Sequence, residues 1–413
     1  MEKIKVGIVG LGQRGRDLTK TVLCCEEVEV VALCELYEDR LANIGKLVTD
    51  RQGKAPTLYE KYEDMLADER VGTVLICSSW DEHIRMAIQS MRAGKITAME
   101  IGCAYDVEEC WELVRAYEET KVPFMMLENC CFDRFELLTT GLARAGRLGE
   151  IAYCHGAYRH DLREEVLGGY VNRHYRLDNY KKRNCENYPT HELGPIAKLL
   201  DINRGNRMLT LSSFASKSVG LHAFSCCEKN PDKSLVGQTF AQGDVITTTI
   251  TCANGELITL TLNTTLPTYY SRELTVHGTK GMCMQETNTV FLDGEEKKEE
   301  WEEPFKVAQR MFNNAGKYEQ EYLVKEWTGI TDEERELGHG GMDYIMLKRL
   351  FKAILNGEEM PIDVYDAAAW LCISALSEQS IAQGGAVQAI PDFTRGKWIK
   401  RNRLDVLMLP KTM

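Results

Sequence analysis

The chain has 413 residues, 44% of them hydrophobic and 27% charged, which is the length and composition of two globular domains with sizeable cores. Its formal net charge of −12 argues against nucleic acid or an anionic membrane surface as a partner. No apolar run approaches the roughly 20 residues of a membrane-spanning helix, so we expect no membrane insertion.

The fifteen cysteines are an odd number, and no two of them are spaced as Cys-x-x-Cys. Because an apolar run of strand length begins almost at Met1, the sequence leaves no room for an export signal. We therefore expect reduced thiols, a cytoplasmic location and no metal site.

The N-terminal stretch has the order strand, glycine turn, helix, strand, acidic residue. An apolar run over residues 4–9 leads into a turn with glycines at Gly10, Gly12 and Gly15. A helix-compatible segment over 16–25 and a second apolar run over 28–33 follow, and Glu35 stands just after that run. Such glycines allow a tight turn, close approach of a pyrophosphate and tight helix packing, and the helix N-terminus attracts phosphate. Glu35 is placed to accept both ribose hydroxyls, so the stretch predicts binding of NAD rather than NADP.

The alternation of strands and helices continues to about residue 127. Apolar runs over 71–77, 95–100 and 122–127 predict strands separated by helices. This is the pattern of a doubly wound parallel sheet, in which ligands bind beyond the carboxyl ends of the strands. Three of those ends carry residues suited to ligand contact, namely Ser79 with Trp80, Glu100, and Glu128 with Asn129.

Around residue 130 the pattern changes to long strands. A predicted helix over 132–145 is closed by Gly146 as a C-terminal cap, and the strands that follow cover 151–159, 208–218, 245–252 and 256–265. Asn254-Gly255 is the signal for a type I′ hairpin. We predict an α/β protein with two domains. Residues 1–128 form an NAD-binding Rossmann domain, and residues 129–413 form an α+β domain with a large, mostly antiparallel open sheet.

The last third of the chain holds two further predicted helices, over 342–355 and 364–381, which we expect to pack against one of the domains. The charged run over 293–303 predicts a solvated loop or edge. The turn Gly338-His339-Gly340-Gly341 is either a second ligand turn or a flexible lead into the helix that follows, and we prefer the second interpretation.

A dense polar and aromatic stretch separates the first two of the long strands. Its histidines, tyrosines and arginines suit a sugar or carboxylate ligand, because they donate to hydroxyls and exchange protons. His191 precedes a predicted helix over 192–200, where the helix dipole disfavours an imidazolium and favours a neutral proton acceptor. Spacing alone supports equally an alternative, in which His191 caps the helix and Tyr188 packs below it.

The chain resembles the Gfo/Idh/MocA oxidoreductase family in its glycine fingerprint, its sheet-end residues and its predicted antiparallel second domain. Most of that family has a Glu-Lys-Pro turn whose lysine serves catalysis, whereas this chain has Glu100-Ile101-Gly102. Several short segments are instead similar to the NAD-dependent glycosidases of the superfamily, glycoside hydrolase family 109, whose founding activity is α-N-acetylgalactosaminidase. Those segments are 127–129, 158–163, 188–191, 201–205, 212–217 and 338–343.

The resemblance implies which residues contact the cofactor and the substrate. Beside the glycines of the turn and Ser79, the implied NAD contacts are Gln13, Arg14, Glu35, Trp80, Asp81, Glu82, His83, Glu100, Ile101 and Asn129. The implied substrate contacts are Tyr158, Arg176, Tyr188, Pro189, Thr190, His191 and Tyr270. Glu128 matches a further active-site carboxylate, which would position a sugar hydroxyl or the nicotinamide ribose. Without the resemblance, the isolated tyrosines would be assigned to the core and the arginine to the surface.

The implied activity is hydrolysis of a small-molecule glycoside with a terminal sugar such as an α-N-acetylgalactosaminide. The sugar is oxidised at C3, loses its C2 proton, eliminates the C1 aglycone, adds water and is reduced again, so NAD is not consumed. In that scheme His191 accepts the C3 hydroxyl proton and Tyr270 or Tyr188 handles the C2 proton. Arg176 and Tyr158 orient the sugar and screen the enolate charge.

Two features depart from the family pattern. Glu192 follows His191 where the family usually has glycine, and the segment 163–176 looks shorter than usual, which leaves the exact sugar open. One alternative function is a sugar or 3-keto-glycoside dehydrogenase that releases an oxidised sugar. A second is a non-catalytic NAD-binding sensor, against which the complete set of tyrosines and histidine argues. The family also implies a homo-oligomer formed through the open sheet.

Overall fold

The computed structural model describes residues 3–295 and 304–410, and the chain forms two compact units. The first unit comprises Met1–Phe132 and Ile330–Cys372, and the second comprises Asp133–Gly329 and Ile373–Met413. This division differs from the predicted domains, which are both continuous, because the chain returns to the first unit for the 43 residues of the Ile330–Cys372 segment.

The first unit is built on a six-stranded parallel sheet in the order β3-β2-β1-β4-β5-β6. This is the strand order of a doubly wound dinucleotide-binding fold, so the predicted Rossmann sheet is confirmed. The strand β1 is buried at five of its six positions, as expected of a parallel strand covered on both faces. The strands are β1 (Ile4–Val9), β2 (Val28–Cys34), β3 (Thr57–Tyr59), β4 (Thr73–Ile76), β5 (Ile96–Met99) and β6 (Phe124–Met126).

The first helix of this unit begins at Gln13, three residues before the predicted start, because the glycine turn feeds directly into it. The start of the helix Val107–Thr120 is set by its N-cap residue, Asp106. Asp106 accepts from the backbone N–H of Glu109 over 2.8 Å and forms a capping box with it. The helices of the unit are Gln13–Val22, Glu38–Gln52, Tyr62–Ala67, Trp80–Arg92, Val107–Thr120, Asp332–Arg335 and Met342–Asn356, with 3₁₀ turns at Asn129–Phe132 and His339–Gly341.

The second unit is built on an eight-stranded sheet in the order β13-β12-β11-β7-β10-β9-β8-β14. Its strands pair antiparallel except for β7 and β10, so the predicted, mostly antiparallel open sheet is confirmed. The strands are β7 (Ile151–Arg159), β8 (Met208–Ala215), β9 (Val245–Cys252), β10 (Leu257–Asn263), β11 (Thr275–Gly278), β12 (Gly281–Met284), β13 (Thr289–Leu292) and β14 (Gln388–Ala389).

Short helices connect these strands. The predicted cap of the first one is confirmed, since Gly146 follows the helix with φ +72°, the left-handed region that favours glycine. The helices are Arg134–Arg144, Arg163–Leu167, Gly169–Asn172, Arg176–Lys182, Thr190–Leu199, Gly220–Ser225, Pro304–Met311, Glu319–Tyr322 and Lys325–Thr328, with 3₁₀ turns at Lys233–Leu235, Ala315–Tyr318 and Lys397–Ile399. The helix Val364–Ala382 begins in the first unit and ends in the second.

The hairpin between β9 and β10 differs from the prediction. A type I′ turn needs a positive φ at both central residues, but of Asn254 and Gly255 only the glycine has one, at +99°. The N–H of Gly255 donates to the carbonyl of Cys252 over 3.1 Å, which makes a three-residue loop with a type I turn and a left-handed glycine. The side-chain amide of Asn254 is engaged by the carbonyl of Gly205 at 3.2 Å, a contact that no local pattern indicates.

Three further features bear on the predictions from composition. All fifteen cysteines are free thiols. No helix within residues 3–295 and 304–410 combines the length and the apolar character needed to cross a bilayer. The charged run over 293–303 lies outside the described residues except for its first three positions, which form a turn.

Candidate active site

The glycine turn of the first unit is shaped by the space around each glycine. Gly10 has φ +83°, and a Cβ there would lie 2.6 Å from the backbone of Cys77. A Cβ on Gly15 would lie 1.8 Å from the carbonyl oxygen of Gly10. Gly12 is different, because its Cβ would meet only the side chain of Arg40, at 3.6 Å. The first and third glycines are thus required by packing, whereas the second leaves open backbone where a pyrophosphate can approach the helix N-terminus.

Glu35 lies beyond the end of β2 and is 7% exposed. Its Oε2 accepts from the backbone N–H of Leu11 in the glycine turn over 2.7 Å, and its Oε1 accepts from Tyr37 over 3.2 Å. Arg40 Nη1 lies 4.0 Å from Glu35 Oε2. The carboxylate is therefore fixed beside the turn, in the position from which an acidic residue binds the ribose of NAD.

The turn after β5 packs on the start of the helix Trp80–Arg92. A Cβ on Gly102 would lie 3.1 Å from Trp80 Cδ1 and 3.2 Å from His83 Nδ1, so only glycine fits closely here. His83 Nε2 donates to the carbonyl of Ser78 over 2.9 Å. Burial lowers the pKa of His83 to about 4, so the imidazole is neutral at pH 7.

The other predicted cofactor residues near these elements differ in accessibility. Asp81 and Gln13 are exposed, and Glu82 forms an ion pair with Arg85 on the same helix. Ser79 is the N-cap residue of that helix without a capping hydrogen bond from its side chain. Ile101 and Asn129 are buried, and so is Glu128, the predicted active-site carboxylate, whose Oε1 accepts from the backbone N–H of Cys130 over 2.9 Å.

Arg14 joins several predicted cofactor residues through Asp343, which was not among them. The two Nη atoms of Arg14 donate to Asp343 Oδ2 at 2.5 Å and Oδ1 at 3.0 Å. Arg14 Nη2 also lies 2.7 Å from Glu100 Oε1. Asn129 Nδ2 donates to Asp343 Oδ1 over 2.8 Å, and His339 Nδ1 lies 2.9 Å from Asp343 Oδ2. One carboxylate thus holds three side chains from three separate parts of the first unit.

The two carboxyl groups that contact Arg14 have opposite pKa shifts. Burial raises the pKa of Glu100 in spite of the neighbouring Arg14. Burial opposes ionisation of Asp343 as well, but Arg14 and His339 outweigh it and hold the pKa of Asp343 well below its usual range. The hydrogen bond with Asp343 raises the pKa of His339. Asp343 is therefore the ionised carboxylate that balances the charge of Arg14.

The turn over 338–341, interpreted from the sequence as a flexible lead into a helix, also lies beside Arg14. His339 has φ +47° and three glycines of the turn also have positive φ, so four successive residues adopt the left-handed region. This backbone ends in the helix Met342–Asn356 and places His339 and Asp343 beside Arg14. Sequence reasoning missed Asp343, although it ends the segment 338–343 that carried part of the resemblance.

The second unit brings its predicted substrate residues into one aromatic cluster. The rings of Tyr158 and Tyr188 stack with centroids 4.4 Å apart, and His191 lies edge-on to both, at 5.3 and 4.8 Å. Tyr270 lies 6.2 Å from Tyr158 and 5.2 Å from His160. The hydroxyl of Tyr158 is hydrogen-bonded to His160 Nδ1 over 2.9 Å. His160 was not predicted, although its spacing from Tyr158 along β7 places both on one side of the strand.

Arg176 is the buried cation of this cluster and not a surface residue. Its guanidinium carbon lies 4.9 Å from the ring centre of Tyr188, and its Nη2 lies 3.5 Å from the Tyr188 hydroxyl. Arg176 Nε forms an ion pair with Glu165 over 3.2 Å. Burial alone would lower the pKa of Arg176, but Glu165 and the tyrosines raise it above its usual value. Burial also raises the pKa of Tyr158, so this hydroxyl keeps its proton.

His191 occupies the first turn of the helix Thr190–Leu199. The N-cap of that helix is Pro189, with no capping hydrogen bond from a side chain. His191 therefore does not cap the helix, and its ring lies edge-on to the stacked rings of Tyr158 and Tyr188. Pro189 and Thr190 are both buried.

Two buried glutamates lie on either side of the Tyr188–His191 segment. Glu186 is 0% exposed and Glu192 is 2% exposed, and no arginine or lysine of the described chain forms an ion pair with either. Burial raises the pKa of Glu186 to about 8. Burial and the neighbouring Glu186 raise the pKa of Glu192 further. Glu186 Oε1 accepts from the backbone N–H of Tyr188 over 3.3 Å, whereas Glu186 Oε2 and both carboxyl oxygens of Glu192 are buried without a hydrogen-bond partner among the described residues.

Comparisons with known proteins match the N-terminal and the C-terminal part of the chain to two different family models. Residues 4–128 match the family model for the oxidoreductase family with an NAD-binding Rossmann fold, and residues 132–400 match the model for the C-terminal domain of glycosyl hydrolase 109. The glycine turn, Glu35 and the open backbone at Gly12 fit NAD. The protein is thus an NAD-binding enzyme of the Gfo/Idh/MocA class. Within that class the chain belongs to glycosyl hydrolase family 109.

Individual relatives support the same assignment. A family 109 protein of Parabacteroides distasonis is 35% identical, with 97% of this chain and 88% of the relative covered. An α-N-acetylgalactosaminidase of Tannerella forsythia is 36% identical, with 96% and 88% covered. Among solved structures, a levoglucosan dehydrogenase in complex with NADH and levoglucosan has a TM-score of 0.69 at 16% identity, covering 94% of this chain and 100% of that one. The structural likeness shows the fold.

Proposed function

We propose that the enzyme hydrolyses a terminal α-N-acetylgalactosaminide or a closely similar glycoside by transient oxidation at C3. The cluster of Tyr158, Arg176, Tyr188, His191 and Tyr270 in the second unit is the observation that carries the proposal. An ordinary glycosidase needs an acidic pair flanking the bond, whereas this cluster offers phenols, an imidazole and a guanidinium. Of the carboxyl groups beside it in the second unit, Glu165 is engaged by Arg176 and Glu186 accepts from the backbone N–H of Tyr188.

The cofactor is held by the first unit, through the glycine turn, Glu35 and the group around Arg14. When bound, NAD supplies reversible hydride transfer at C3 of the sugar. With a ketone at C3 the C2 proton becomes acidic, the aglycone leaves from C1 with the C2 proton lost, and water adds to the resulting double bond. Substrate and product are at the same oxidation level, so the cofactor is unchanged after a turnover.

The residues of the cluster divide the proton transfers. His191 takes the proton of the C3 hydroxyl during oxidation and returns it afterwards. Tyr270 or Tyr188 takes the C2 proton as a tyrosinate. Both phenol oxygens lie near a guanidinium, with Arg272 donating to Tyr270 over 2.9 Å and Arg176 lying 3.5 Å from Tyr188, and a cation favours the ionised phenol. Tyr158 keeps its proton and donates to the sugar.

The proposal is tested with a panel of aryl α- and β-glycosides incubated with the purified enzyme and NAD in deuterated water. Free sugar is expected without net NADH absorbance, with deuterium incorporated at C2 by NMR. Released sugar that retains its C2 hydrogen would reject the elimination. NADH formed in proportion to sugar consumed would instead show a dehydrogenase that releases an oxidised sugar.

A further inference from the structure

Asp343 holds the centre of the cofactor site of the first unit. It is 1% exposed, it binds Arg14 through both carboxylate oxygens, and it accepts from the amide of Asn129. Arg14 and Asn129 both belong to the predicted cofactor contacts, and they come from the glycine turn and from the 3₁₀ turn after β6. A two-pronged contact fixes the plane of a guanidinium, which a single charge contact does not.

The charge of Asp343 makes its presence here unexpected. The pyrophosphate of a dinucleotide is anionic, so a buried carboxylate in its binding site is unfavourable by charge alone. Removing that charge would therefore tighten binding if electrostatics were the whole effect. Side chains that are free before binding lose rotamer freedom when the cofactor binds, which weakens affinity. If Asp343 orients its neighbours in advance, this loss is smaller, so removing Asp343 would weaken cofactor binding. The two effects can be distinguished by whether a single substitution at Asp343 strengthens or weakens NAD⁺ binding.

We propose that Asp343 is a positioning residue for the cofactor, which orients Arg14 and Asn129 in advance of NAD binding at the expense of an unfavourable charge. The turn over 338–341 brings it there, since four residues with positive φ lead directly into the helix that begins at Met342. This inference concerns retention of the cofactor and does not depend on which sugar the enzyme takes.

The test is calorimetric titration of NAD⁺ into the full-length Asp343→Asn variant, which has nearly the same shape and one charge fewer. We expect about tenfold weaker binding, since the amide cannot accept from both prongs of Arg14. Binding equal to or tighter than that of the wild type would overturn the proposal. Asp68→Asn is the matched control, because Asp68 is also a part-buried carboxylate of this unit with an arginine partner, Arg70. It should leave NAD⁺ affinity unchanged.

A double-mutant cycle shows whether Asp343 acts through Arg14. In an Arg14→Gln background, the loss caused by Asp343→Asn should shrink to about threefold or less, because the residue to be oriented is gone. An undiminished loss would overturn the proposed route through Arg14. If Asp343→Asn does not fold, Arg14→Lys keeps the charge but not the fork. It should weaken NAD⁺ binding by about tenfold, and wild-type affinity would contradict the proposal.

Discussion

At the scale of single residues, cofactor choice depends on Glu35. Its carboxylate is held by the N–H of Leu11, and Arg40 lies 4.0 Å away. The Glu35→Ser variant removes the charge that repels a 2′-phosphate and leaves Arg40 within reach of it. We expect the ratio of NADP⁺ to NAD⁺ affinity to rise by about tenfold or more, corresponding to about 1.4 kcal/mol, as measured by calorimetry. Glu38→Ser, at an exposed position nearby, is the control and should leave the ratio unchanged.

His191 is the residue on which the proposed proton transfers depend most. Replacing it with alanine should lower kcat by roughly 10²–10⁴, the usual contribution of a positioned acid or base. NAD⁺ affinity should stay the same, because the residues assigned to the cofactor lie in the first unit. His222→Ala, an exposed histidine of the same unit as His191, should keep full activity. Near-normal turnover in the His191→Ala variant would remove His191 from the mechanism.

At the scale of elements, the Glu186–Glu192 pair makes stability depend on pH. Both pKa values are raised in the folded protein, that of Glu186 to about 8, so the folded state binds more protons than the unfolded one. Stability is then fully present below the ordinary glutamate pKa and is lost as pH rises through 8. Glu192→Gln removes one of the two ionisable groups and keeps the shape of the side chain. The stability of this variant relative to the wild type should rise by about 1.4 kcal/mol per pH unit, up to about 4 kcal/mol between pH 5 and pH 8, measured by urea unfolding.

The comparison between variants isolates this pair from other buried carboxyls. Glu100 and Glu136 also have raised pKa values, but they are present in both proteins and cancel in the difference. The exposed Glu150→Gln serves as the matched control on the same unit and should show no pH-dependent difference. A constant difference between Glu192→Gln and the wild type from pH 5 to pH 8 would contradict a raised pKa of Glu192.

Elements were predictable where their cause is local. The strands β7 and β9 have the predicted bounds, and in β9 the cause is local, because its buried and less buried residues alternate along the strand. The β9–β10 turn was mispredicted because Asn254 is held by Gly205, almost fifty residues away in sequence. The same limit applies to the site. The family resemblance, and not spacing alone, pointed to Tyr158 and His191, whereas the raised pKa values of Glu186 and Glu192 depend on burial that no short pattern records.

At the scale of the whole molecule, the two compact units differ from the two continuous predicted domains for a physical reason. The segment Ile330–Cys372 belongs to the first unit through contacts made far from its place in the sequence. The N–H of Met126 in β6 donates to the carbonyl of Ile362 over 3.1 Å, and the N–H of Ala104 donates to Leu371 over 3.2 Å. Composition and periodicity identify the helices of this segment, but they carry no information about the partner on which it packs.

This arrangement predicts that residues 1–132 are not a complete cofactor domain. Without Asp343 the contacts to Arg14 and Asn129 are lost, and the last strand loses its partner at Ile362. A fragment of residues 1–132 joined through a flexible linker to residues 330–372 should bind NAD⁺ and unfold cooperatively. The fragment 1–132 alone should bind at least about tenfold more weakly and melt at a lower temperature.

The control for this experiment is the same fusion with the residues of 330–372 in scrambled order, which keeps length and composition but not the contacts. It should behave like the short fragment, because neither the carboxylate of Asp343 nor the carbonyl acceptors at Ile362 and Leu371 return to their positions. Equal NAD⁺ affinity of the short fragment and the native fusion would show that the first 132 residues suffice. In that case the return of the chain to the first unit would serve neither the stability of the sheet nor the cofactor site, and Asp343 would lose its proposed role as well.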